Sequence, residues 1–206
     1  MRTYELADPA SVKIRSHPWT DSETNPLNRY RDFKENPVLV RESLEDFLPW
    51  ASWPATETFY GLLEWLNGPD SLLESNDCAF TGPGENEDPG FGKSLQASGR
   101  VMILWRHLPT NLVRARLEWL ARGIHERLSP LDPEFEWGAL GTCVVPTRYV
   151  SLPGPPRQRL GFQLMLPFWA WGDSEGEVMA NLDRTFRNLG ESLCGLMTQG
   201  KADVRE

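Results

Sequence analysis

The amino-acid sequence predicts an α+β fold: a mainly antiparallel sheet with helices packed on one face and an irregular N-terminal arm. Three observations lead there. Residues 101–107 and 160–170 place apolar side chains in the manner of strands, and 160–170 alternates with a period of two. Residues 56–66, 110–128 and 175–197 carry apolar residues at helical spacing. Short connections join the strand-like segments, and helices separate the pairs.

Along the chain, residues 1–38 read as the irregular arm. Pro9, Pro18, Pro26 and Pro37 interrupt any long element. Tyr4, Trp19, Tyr30 and Phe33 give the arm aromatic groups with which to rest on the body. Residues 39–200 form the α+β body, and the 206 residues are expected to make a single domain. A short helix is predicted over 40–48, ending before Pro49. In the 56–66 helix, Phe59, Leu62, Leu63 and Leu66 form the stripe, Thr56 is the expected N-cap, and Asn67-Gly68-Pro69 is the stop. A short strand is predicted over 77–80. Residues 81–94 are rich in glycine, proline and charge and read as a mobile loop.

The segment 101–107 is apolar on both sides, with Val101, Ile103 and Trp105 on one and Met102 and Leu104 on the other. Such two-sided burial predicts a central strand. Thr110 can cap the next helix, whose stripe is Val113, Leu117, Leu120, Ile124 and Leu128. Residues 142–152 read as a strand in which Pro146 implies an edge or a bulge. In 160–170, Leu160, Phe162, Leu164, Leu166, Phe168 and Ala170 share a face. Ser174 and Glu177 are placed as a capping box for the last helix.

Composition narrows the function. Hydrophobic residues make up 40% and charged residues 24%, which excludes collagen, a coiled coil and a fully disordered chain. The apolar stretches are too short to span a bilayer, and the N-terminus has no apolar signal core. No membrane association and a cytoplasmic location are therefore expected. Cys78, Cys143 and Cys194 are odd in number and widely spaced, so neither a disulfide framework nor a zinc site is expected. Cys143 and Cys194 read as packing residues, and Cys78 as the one in a polar setting.

Charge is distributed unevenly. The net charge is −8, yet the segment 42–92 holds eleven acids and no lysine or arginine. This segment contains Asp70, Glu74, Asp77, Glu85, Glu87 and Asp88, together with Trp50, Trp53 and Trp65. Aromatics rimmed by charge have the composition of a protein-binding hot spot. An acidic face suits a basic partner and repels a phosphate backbone, so direct nucleic-acid binding is not expected. An aromatic-lined carbohydrate cleft is the rival reading of the same tryptophans.

Catalytic patterns are sparse. His17, His107 and His125 have no metal-ligand spacing, no GxSxG occurs, and the glycines of 81–94 lack a phosphate-loop context. No metal or cofactor is expected. The one catalytic alternative is a Cys78–His107 nucleophile pair oriented by Asp77.

The segments FYGLLEWLNGPDSLLESNDCAF (59–80), GRVMILWRHLP (99–109), LDPEFEWG (131–138) and RLGFQLMLPFWAWGDSEGEV (159–178) resemble the immunity proteins of bacterial polymorphic-toxin and contact-dependent inhibition systems. The resemblance is one of size, acidity and α+β order, and it covers residues 40–197. It implies a non-catalytic cytoplasmic antidote that binds one cognate toxin domain. Trp50, Trp53, Trp65, Asp70, Glu74, Asp77, Glu85, Glu87 and Asp88 are the expected partner-binding residues, and a basic active-site cleft is the expected counterpart. The alternatives are an enzyme centred on Cys78 and His107, or a phage-type anti-defence or assembly protein.

Overall fold

The structure is a computed structural model that describes residues 1–6, 14–18, 32–43, 49–87 and 92–203. In chain order the elements are β1 (Arg2–Glu5), β2 (Arg15–His17), α1 (Leu39–Ser43), α2 (Pro54–Asn67), β3 (Leu73–Glu85), β4 (Leu95–Trp105), α3 (Arg114–Leu131), β5 (Gly138–Tyr149), β6 (Leu160–Gly172) and α4 (Glu175–Asp203). Short 3-10 turns at Leu108–Leu112 and Pro156–Arg159 precede α3 and β6.

Among the described residues the strands form one sheet in the order β1-β5-β6-β4-β3, with β2 also on β5. The pairs β3–β4, β4–β6 and β5–β6 are antiparallel, while β1 and β2 run parallel to β5. The fold class is the α+β one that the periodicities predict. The arm, however, is not irregular throughout: Arg2–Glu5 lies against Ala139–Thr142 and Arg15–His17 against Thr147–Tyr149. Strands of four and three residues are too short to show a period in sequence. Pro146 falls in the stretch of β5 that neither short strand covers, which is where a residue without an N–H fits best.

The helices α2, α3 and α4 share one face of the sheet, and α4 contacts both of the others. Their stripes meet the alternate strand residues Val101, Ile103, Leu140, Val144, Leu164, Leu166, Phe168 and Ala170 in the main core. At its centre the Phe186 ring lies 4.8 Å from Phe59 and 4.9 Å from Phe168. The opposite side of the sheet, called here the second face, carries a smaller apolar cluster of Met102, Cys143 and Val145 with Leu6 and Met165. Burial on both sides of β4 fits its interior position, as its sequence indicates.

Several local expectations are corrected. Helix α2 begins at Pro54 with Trp53 at the N-cap, because proline is preorganised for the first helical position. The Thr56 hydroxyl donates to the Trp50 carbonyl instead. β3 is thirteen residues long and takes in Thr81–Glu85 from the expected loop. Gly82 permits this: a Cβ there would lie 1.9 Å from the Trp50 ring, so only glycine lets the indole lie on the strand. Val113 flanks α3 as its N-cap and is exposed, leaving Leu117, Leu120, Ile124 and Leu128 as the buried stripe. Cys194 is exposed, whereas Cys78 is half-buried against the main core. Of the expected helix 40–48, residues 44–48 lie outside the described residues, as do Trp19 and Tyr30.

Candidate functional site

The second face carries a polar lattice that latches the arm to the sheet. A register shift between Ser75 and Asp77 inserts Asn76 as an extra residue in β3. Glu74 and Asp77, opposite Leu104 and Met102, thereby point to the same side despite their odd spacing. The His17 Nε2 lies 2.9 Å from the Glu74 carboxylate and the Lys34 Nζ 3.2 Å from it. The His17 and Glu74 side chains are 6% and 4% exposed. Burial by itself would raise the Glu74 pKa, but His17 and Lys34 outweigh it and hold the carboxyl below its ordinary value. Beside them the Tyr149 ring lies 5.7 Å from the His17 ring, and its hydroxyl donates to the Phe162 carbonyl at 2.5 Å. Burial, assisted by Glu74, pushes the Tyr149 hydroxyl far above its ordinary range.

The lattice continues outward. Asn76 Nδ2 donates to the Ser16 carbonyl at 3.2 Å and to Gln163 Oε1 at 3.0 Å. Asp77 accepts from Arg15 at 2.9 Å and from Arg100 at 3.1 Å. A histidine on a buried carboxylate is a familiar general-base arrangement. Here both groups are sealed, so the geometry serves to hold β2 in place.

Toward the hairpin end of the same face lies an open groove of about 630 Å³. Trp169 and Trp171 of β6 form its floor, with Gln96 and Ser98 of β4 beside them, Tyr4 of β1 on one side and Glu85 and Glu87 on the other. Among the described residues its lining carries two carboxylates and no lysine or arginine. Strand alternation explains the floor: Phe168 and Ala170 point into the main core, so Trp169 and Trp171 point away from it. Trp171 is fixed by an indole N–H donated to Gln96 Oε1 at 2.9 Å. The acidic side is held as well. Asn86 N donates to the Ser94 carbonyl at 2.9 Å, and its side chain donates to the Lys93 carbonyl at 2.8 Å. Lys93 in turn reaches Asp173 and Glu177 at the start of α4, both at 2.7 Å.

The expected partner-binding residues do not form one surface. Glu85 and Glu87 are exposed and line the groove, and Asp70 is exposed in the turn after α2. Asp88 lies outside the described residues. Glu74 and Asp77 are turned inward and ion-paired, so they present no charge to solvent. Trp50, Trp53 and Trp65 are half-buried against the main core. Further members of the acidic run, Glu57 and Glu64, hold Arg41 between them at 2.7 Å each. The bases that neutralise the run come from outside it, which a count along the sequence does not register. Trp169, Trp171 and Tyr4 were not among the expected residues. The alternation that puts Phe168 and Ala170 in the core already places both tryptophans opposite.

The catalytic alternative is not assembled. Cys78 pairs with Val101, and His107 follows six residues beyond, so the two lie on the order of 20 Å apart at strand rise. Asp77 faces away from Cys78 and is bound by arginines. His107 contacts the Thr110 hydroxyl at 3.0 Å, and His125 that of Thr142 at 2.7 Å. Burial lowers the pKa of His125, with Glu5 opposing the shift. Among the described residues no group of three His, Cys, Asp or Glu is placed to hold a metal ion, and no helix is long and apolar enough to cross a membrane. No protein-family model, curated protein or solved structure matches the chain.

Proposed function

We propose that this chain is a non-catalytic antidote, an immunity protein that binds and neutralises a cognate bacterial toxin domain through the groove on its second face. The observation that carries the reading is the groove itself, with an indole floor, an aromatic wall and a carboxylate rim that holds no base among the described residues. Aromatic anchors on a rigid strand supply contact area at low entropic cost. The rim carboxylates attract a basic partner and speed the encounter, which an antidote needs if it is to act before its toxin. A toxin that works on nucleic acid has a basic cleft, and an acidic, aromatic surface competes with the substrate for it. The reading moves the expected anchors from Trp50, Trp53 and Trp65 to Trp169 and Tyr4, and keeps Glu85 and Glu87.

The test is co-purification from the native host followed by kinetics on the captured partner. A stoichiometric toxin domain is expected. The double reversal of Glu85 and Glu87 to Lys should slow association, whereas Trp169→Ala should speed dissociation by about tenfold or more. A toxin held equally well by both variants would remove the groove from the interface. A captured defence effector or capsid component would instead place the chain in the phage class, and turnover of any substrate would make it an enzyme.

A further inference from the structure

A second unpartnered surface lies on the helical side of the molecule, at the end of β4 away from the hairpin. Leu72, Trp105, Val113, Trp119 and Met197 line an open groove of about 620 Å³ there. Leu72, Val113 and Trp119 are 41%, 52% and 46% exposed, an unusual concentration of bare apolar side chains on one spot. The Trp105 and Trp119 rings lie 6.1 Å apart at 34°.

Two polar groups give the groove a sign. Arg116, on the rim, is exposed, and its guanidinium has no partner among the described residues. His107 also lines the groove, and no carboxylate among the described residues does. The site therefore offers hydrogen-bond donors and positive charge around an apolar floor, the reverse of the acidic groove on the second face.

We infer that this groove docks an acidic amphipathic helix of a partner protein. The helix sets apolar anchors at i, i+3 or i+4 and i+7 between Trp105, Trp119 and Val113. A carboxylate beside those anchors meets Arg116. The volume accommodates roughly three anchor side chains, and its open shape suits a laid-on segment better than an enclosed small molecule. The inference stands apart from the proposed antidote role, since it uses a different surface with opposite charge preference.

A displayed library of amphipathic helical peptides, panned on the whole protein and counter-selected on Trp119→Ala, tests it. Enriched peptides should combine apolar residues at i, i+3/i+4 with Asp or Glu. A synthetic winner should change tryptophan fluorescence saturably and lose about tenfold or more of its affinity on Arg116→Glu or on exchange of its acids for Lys. Trp169→Ala should leave this binding unchanged. Trp119 is half exposed, so its alanine variant should keep the wild-type melt; Val113→Glu serves as the second blocking variant if it does not. The inference is overturned if no enrichment depends on the groove or if the winners are basic. A dimer in sedimentation that Trp119→Ala dissolves overturns it too, since the occupant would then be a second copy of the chain.

Discussion

Replacing Glu74 by glutamine removes one charge from the latch between arm and sheet while keeping the size of the side chain. The contact with His17 is almost wholly buried, with side chains 6% and 4% exposed. Breaking one side of a buried pair costs about 3–5 kcal/mol, because the remaining partner is left desolvated. The contact with Lys34, whose side chain is 36% exposed, adds less than about 1 kcal/mol after screening. A loss of about 3–4 kcal/mol is therefore expected at pH 7, a large part of the roughly 5–15 kcal/mol that holds a typical domain. Urea unfolding followed by tryptophan fluorescence measures it as a lower midpoint at constant slope.

The pH dependence has a definite sign. The Glu74 pKa is lower in the folded chain than its ordinary value of 4.5, so on acidification the unfolded chain takes up this proton first. The stabilisation is complete above that ordinary value and is lost as the pH falls through the lower folded one. The gap between wild type and variant should narrow as the pH falls below that ordinary value, toward about pH 3. A gap under about 1 kcal/mol at pH 7, or one that stays constant into acid, would refute the assignment of Glu74 as a charged, buried latch.

Two further substitutions probe the scaffold. Leu164→Ala empties a fully buried position where β6 meets the helices and should cost about 2–5 kcal/mol in a denaturant melt; a loss below roughly 0.5 kcal/mol would contradict its place in the core. Gly82→Val should displace the Trp50 ring, cost about 1–3 kcal/mol and shift tryptophan emission to the red; an unchanged spectrum would mean the indole does not lie on β3.

Much of the scaffold is legible because its signals are local. The two-sided apolarity of 101–105 marks an interior strand, and the stripe Leu117, Leu120, Ile124 and Leu128 is buried throughout. Ser174 does cap α4, donating no charge but accepting from the Glu177 N–H at 3.2 Å. The Glu177 carboxylate turns to the Asp173 N–H at 2.8 Å rather than closing the box on Ser174 itself. What escapes a linear reading is set by distant partners. Arg15, Lys34, Arg41 and Arg100 neutralise Asp77, Glu74, Glu57 and Glu64 across the fold. The bulge at Asn76 reverses the facing of the residues after it, so a strict two-residue period would have sent Asp77 toward the helices. The candidate site is only partly visible for the same reason: Glu85 and Glu87 stand in the acidic run, but the tryptophans they flank arrive from a strand more than eighty residues later.

The pairing of Arg2 with Ala139 sets an order on biosynthesis. A ribosome adding about 5–20 residues per second leaves β1 without its neighbour for on the order of ten seconds, a delay in which the exposed edge is open to chaperones and proteases. Tyr4 rides on that strand, and Trp169 and Trp171 are translated later still. A nascent or prematurely ended chain thus has its acidic residues long before it has the floor they flank. Under the proposed function, partner recognition is confined to chains translated through β6, which makes docking competence itself a report that synthesis has passed the last strand.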